Sequence, residues 1–121
     1  MARAMPTAEF RARTFKFACQ IVDLYKALTK VPDMPLVIAR QLLRSGTSIG
    51  ANIEEATASS SRRDLIARTG IALREARETK FWLRLVSTTR LAPPGLLRDA
   101  LKEVDELVAM LTVSLRNLKS E

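Results

Sequence analysis

The chain has 121 residues, enough for one ordinary domain whose core needs no disulfide or metal. Apolar residues make up 47% and the mean hydropathy is near zero, which excludes long disorder; aromatics at 5% and only four glycines speak against an all-β fold. The formal charge is +7, with no histidine and one cysteine, so His-dependent nucleophile pairs, the commonest metal ligand and an intramolecular disulfide are all missing.

The opening residues MARAMPTAEF lack the apolar run of a secretory leader. No stretch of about eighteen apolar residues exists that could span a bilayer. The expected compartment is the cytoplasm, with no membrane contact.

Ala, Leu, Arg and Glu dominate the chain, and all are good helix formers. Thr7 is placed to cap a first helix near 8–29. Phe10, Thr14, Phe17, Ile21, Leu24 and Leu28 recur by three, four or seven and share one face. Cys19 reads as a small packing residue. The segment Val31–Pro35, V-P-D-M-P, ends the helix, because an internal proline loses a hydrogen bond and clashes.

A second helix is predicted near 35–58, with a core stripe of Ile38, Leu42, Ile49, Ile53 and Ala56. Gly46 and Gly50 lie beside that stripe. Each costs roughly 1 kcal/mol of helix stability relative to alanine, and close approach of another helix is the simplest compensation. Asn52 falls at the stripe's edge, and a partly buried amide there should tie this helix to a neighbouring helix or backbone.

Ala58–Ser61 reads as a turn. Ser61 and Asp64 form a variant of the capping box ahead of a third helix near 62–89. Its main face is Leu65, Thr69, Ala72, Ala76, Thr79 and Leu83. Leu91–Gly95, L-A-P-P-G, is the next turn. A fourth helix near 94–118 carries Leu97, Ala100, Leu101, Val104, Leu107, Val108, Leu111, Leu115 and Leu118. The expected fold is all-α: one domain over 1–121, an up-down-up-down antiparallel four-helix bundle.

The third helix holds more apolar residues than one bundle face can use. Ile71, Trp82 and Leu85 fall roughly opposite its main face, flanked by Phe81. On the first helix, Phe15 and Val22 sit off the main stripe. A helix apolar on two sides is buried on two sides, either in an interface with another subunit or partner or in a core wide enough to wrap it.

Charge is unevenly spread. Residues 1–30 carry +4, 31–60 carry −1, 61–90 carry +5 and 91–121 carry −1. On the third helix Arg63, Arg74, Arg77, Lys80 and Arg84 cluster on one side by angular count. Such a stripe suits a phosphate backbone, and equally a solvated flank with ion pairs such as Arg74–Glu78. The carboxylates Glu54, Glu55, Glu75 and Glu78 lack the histidines that bundle di-iron sites pair with glutamate, so neither metal nor other cofactor is expected. No catalytic residue is identified.

The segment S-I-G-A-N-I-E-E-A, Ser48–Ala56, followed by I-A-L-R-E-A-R-E-T-K-F-W-L-R-L, Ile71–Leu85, resembles one family. These are the four-helix-bundle proteins first noticed as reading frames inside intervening sequences of 23S ribosomal RNA genes, often labelled S23 ribosomal proteins. The resemblance covers roughly Phe15–Lys119. Its core is Ser48, Ile49, Asn52, Ile53 and Glu55, then Ala72, Glu75, Glu78 and Thr79. The usual Ala-Glu-Gly after Asn-Ile stands here as Glu54, Glu55, Ala56, a departure that suggests a divergent branch. The resemblance implies a ring of five subunits. It also implies kinship with accessory proteins of diversity-generating retroelements, in which a basic pentamer contacts nucleic acid and a reverse transcriptase. Most members have no established activity, and the ribosomal label reflects gene location.

Two functions follow as expectations. The leading one is a non-enzymatic homo-oligomer that binds RNA or DNA through basic helix faces. The rival is a scaffold whose second apolar face serves only self-assembly or a protein partner.

Overall fold

A computed structural model describes residues 6–121; residues 1–5, which open the segment read above as lacking a leader, lie outside the described residues. Four helices account for most of the described residues: α1 (Ala8–Leu28), α2 (Leu36–Thr57), α3 (Arg62–Thr88) and α4 (Pro94–Ser120). Each helix packs on its neighbours in sequence, and α4 returns to touch α1 over a much shorter stretch. The result is an all-α four-helix bundle.

The helix starts follow from local chemistry. Thr7 Oγ1 accepts the Phe10 N–H at 3.0 Å, and Ser61 Oγ accepts the Asp64 N–H at 3.1 Å. Each satisfies an amide that the first turn leaves without an internal partner. Pro94 opens α4, where a missing N–H costs nothing.

The end of α3 is a Schellman turn: Leu91 N–H reaches Val86 O at 3.1 Å and Arg90 N–H reaches Ser87 O at 3.2 Å. Arg90 sits there at φ 57°, a left-handed conformation that disfavours any side chain with a Cβ. Arg90→Gly is expected to raise stability by about 1 kcal/mol, read as a higher urea midpoint.

All six residues of the α1 stripe are buried. In α2, Leu42, Ile49, Ile53 and Ala56 are buried as expected, but Ile38 is half-buried and Ala39 and Ser45 join the core. The reason is position: α2 lies between α1 and α3 and buries a wider arc than one stripe. The same holds in α3, where Leu73 and Val86 are buried and Leu65 is only half-buried. In α4, Leu101, Val108 and Leu115 flank the core rather than fill it. Cys19 is exposed, so it is not the packing residue the sequence suggested.

Both α2 glycines mark close approach to α1. A Cβ at Gly46 would lie 2.8 Å from Ile21 Cγ1 and Cγ2, and one at Gly50 would lie 3.0 Å from the Thr14 carbonyl oxygen. Between α2 and α3 the register is fixed by hydroxyls: Thr79 Oγ1 stands 2.9 Å from Ser45 Oγ, both fully buried. At the far end Arg62 of α3 donates to the Leu118 carbonyl and pairs with Glu121 at 2.9 Å, tying down the last turn of α4.

Candidate nucleic-acid interface

The core-facing arc of α3 leaves two flanks, one toward α2 and one toward α4, with an outer surface between them. The α2 flank is occupied by an ion network. Arg44 of α2 pairs with Glu75 at 3.3 Å and with Glu78. Trp82 Nε1 donates to Glu78 Oε2 at 2.9 Å. The Trp82 N–H, and then Arg44, hold the Glu78 carboxyl below its ordinary range despite partial burial, and Glu78 in turn raises the Arg44 guanidinium. The Arg74–Glu78 pair considered from sequence does not form, because Arg44 and Trp82 take that carboxylate.

The sign of the resulting pH dependence follows. A carboxyl depressed in the folded state contributes stability above its unfolded pKa, and that contribution is lost as pH falls through the folded value. Glu78→Gln should therefore show a shallower loss of stability with acid than the parent chain, measured as urea midpoints down through the carboxylate range. The difference should be small, since the side chain is about a third exposed.

The motif residues of α2 line this same side. Ser48 Oγ donates to the Arg44 carbonyl at 2.6 Å, and Asn52 Nδ2 donates to the Ser48 carbonyl at 2.8 Å. Asn52 thus bonds to backbone, one of the two ties expected of it, but within its own helix, so the expected tie to a neighbouring helix is corrected. The i−4 carbonyl is the nearest acceptor for a short polar side chain on a helix. Glu55 is exposed.

The basic residues of α3 divide. Lys80 pairs with Asp105 of α4 at 2.7 Å and leaves the set of free cations. Arg63, Arg74, Arg77 and Arg84 are exposed, and among the described residues none of them makes an ion pair. Arg63 precedes Arg74 by about 16 Å of helix axis, and Arg84 follows Arg77 by about 10 Å. The structure adds Arg116 and Lys119 of α4, which stand with Arg74 and Arg77 around a groove between α3 and α4. Two adjoining cavities of about 490 and 480 Å³ form that groove and share Leu73, Arg77, Leu115 and Lys119. Sequence reading missed the α4 pair, because it depends on which flank of α3 meets α4.

The apolar candidates also divide. Phe15 (64%), Phe81 (55%) and Val22 (41%) are exposed, whereas Ile71, Trp82 and Leu85 are half-buried. Trp82 packs against the core and meets Phe81 edge-on at 5.1 Å. A wide core thus accounts for Trp82 but not for Phe15, Val22 or Phe81. Val37, 66% exposed, is an apolar residue that the stripe count passed over because it lies in the first turn of α2.

A third cleft, of about 640 Å³, follows the short α1–α4 contact. Arg13 spans it, 2.8 Å from Glu103 and 3.2 Å from Glu106. Among the described residues no group of three or more His, Cys, Asp or Glu is arranged to hold a metal, and no helix is long and apolar enough to cross a membrane.

The model of the family described as 23S rRNA-intervening sequence protein matches residues 7–113. Among solved structures, the chain is similar to a protein of unknown function from the S23 ribosomal protein family of Bacteroides thetaiotaomicron VPI-5482. The TM-score is 0.80 and the identity 38%, over 87% of this chain and 96% of that one. No curated protein matches the sequence.

Proposed function

The chain belongs to the 23S rRNA-intervening sequence protein family, and from that premise we propose that it is a non-enzymatic, homo-oligomeric bundle that binds RNA or DNA through the basic face of α3. One observation carries the reading. Four arginines on α3 are exposed and unpaired among the described residues, while the glutamates beside them are engaged by Arg44 from α2. A cation without a carboxylate partner is free to neutralise a phosphate and release its counterion. The absence of histidine supports a binding role over a catalytic one.

An up-down-up-down arrangement agrees with the pairing of Gly46 with Ile21 and Gly50 with Thr14, in which one chain number rises as the other falls. Assembly into a ring of five follows the family resemblance, and the exposed Phe15, Val22 and Phe81 supply apolar surface for it; the cytoplasm is the proposed setting. A reverse transcriptase or another protein is the further partner that the resemblance offers.

An electrophoretic shift assay at low salt, with single-stranded and duplex RNA and DNA, tests the proposal. Shifts with weak sequence preference and steep salt dependence are expected. The exposed apolar residues favour a second reading, a scaffold that only assembles. No shift with any of the four nucleic acids, from a chain that light scattering finds oligomeric, would leave that scaffold in its place.

A further inference from the structure

Three glycines lie well inside helices, Gly46 and Gly50 in α2 and Gly70 in α3. Glycine is the poorest helix former after proline, so each needs a compensating reason. The proximity of α1 accounts for the first two. Gly70 has no such reason: a Cβ there would meet only Leu115 Cδ2, at 3.9 Å, an ordinary contact. Among the described residues nothing requires bare backbone at that position.

Gly70 instead forms the floor of the α3–α4 groove with Ile66, Leu73 and Leu115. Arg74, Arg77, Arg116 and Lys119 stand around it, and among the described residues no acidic or aromatic side chain lines it. Among the described residues none of these four cations has an ion-pair partner.

We propose that this groove docks an acidic amphipathic helix of a partner protein. The floor is aliphatic and notched at Gly70, which fits a branched apolar side chain. The charged residues of the rim are all cationic, with Thr112 and Ser120 the uncharged polar ones, which fits carboxylates on either side of an apolar stripe. From Ile66 to Arg77 the α3 wall runs about 16 Å, or about three helical turns, the span over which anchors at i, i+3 or i+4, and i+7 are read. A nucleic acid is the poorer occupant. It gains little from an aliphatic floor, and no aromatic ring is present for a base to stack on. The groove shares Arg74 and Arg77 with the α3 face proposed for nucleic acid, and the inference goes beyond that reading because Arg116, Lys119 and an aliphatic floor complete the groove while Arg63 and Arg84 do not line it.

The test uses the full chain and a labelled peptide of about eighteen residues, leucines at helical spacing on a glutamate background. A scrambled peptide of the same composition is the control, and fluorescence anisotropy is the readout. The patterned peptide should bind roughly tenfold tighter than the scrambled one. Gly70→Leu, and separately Arg116→Glu with Lys119→Glu, should each lower its affinity by roughly tenfold, the size of a hot-spot loss. Gly70→Leu should keep its helical circular-dichroism signal and its retention of homopolymer RNA. If it does not fold, the exposed Arg116 and Lys119 reversal decides the matter. Equal binding of the two peptides, or unchanged peptide binding in both variants, would overturn the proposal. So would a Gly70→Leu variant that loses RNA and still binds the peptide, because the groove would then belong to nucleic acid.

Discussion

Gly46→Leu is expected to lower the stability of the folded chain by about 3 kcal/mol, at the upper end for an overpacked core. The first added carbon alone would lie 2.8 Å from two carbons of Ile21, and Ile21 is fully buried with no room to turn. Three further carbons must then displace α1 outward. One turn on, Gly50 already lies at the limit against the Thr14 backbone, so the displacement cannot be local. Against a typical stability of about 5–15 kcal/mol this is a large share, and it corresponds to a fall of roughly 12 °C in melting temperature. Pairing it with Ile21→Ala, which removes the clashing carbons, should recover part of the loss beyond additivity. An unchanged urea midpoint for Gly46→Leu would mean that α1 and α2 do not meet in this register.

Reversing Arg77 and Arg84 together to glutamate should weaken binding to every nucleic acid about equally. The slope of log affinity against log salt should become shallower by about two for each subunit in contact with the nucleic acid, one for each lost phosphate contact. Both side chains are exposed and, among the described residues, unpaired, so the change leaves the core alone. In an oligomer the loss repeats in every subunit and the effect multiplies. Lys80→Glu serves as an internal comparison. That ammonium already faces Asp105 at 2.7 Å, so its reversal should cost less affinity than either arginine. A salt slope that the double reversal leaves intact would remove the α3 arginines from the interface.

Much of the fold was legible because helix periodicity and capping act locally. The α1 stripe from Phe10 to Leu28 and the caps at Thr7 and Ser61 depend on residues three or four apart, and the structure has all of them. The α2 glycines were legible as a question, since their cost was visible before the helix that compensates it. What could not be read was the pairing between helices. Nothing in the spacing of Glu75 and Glu78 says that Arg44, about thirty residues earlier, will hold both. Lys80 looked like its neighbours until α4 brought Asp105 to it. Asn52 had a polar partner within its own helix, a choice that burial arguments do not make. The α3–α4 groove belongs to the same class, because Arg116 and Lys119 reach Arg74 and Arg77 only once the order of neighbours is known.

The short contact between α1 and α4 gives ionic strength a second role in this protein. Three seams of the bundle rest on broad apolar packing, whereas the fourth is narrow and is spanned by Arg13 reaching Glu103 and Glu106. These groups are partly open to water, so added electrolyte weakens their attraction as the screening length shrinks from about 10 Å toward 3 Å. Concentrated salt then favours transient detachment of α1 from α4 while its contact with α2 persists. Hydrogen exchange would register this as faster turnover of α1 amides ahead of the rest of the chain. A salt series meant to count phosphates therefore also acts on the breathing of the scaffold. Its proper baseline is the protein's own exchange profile at each ionic strength.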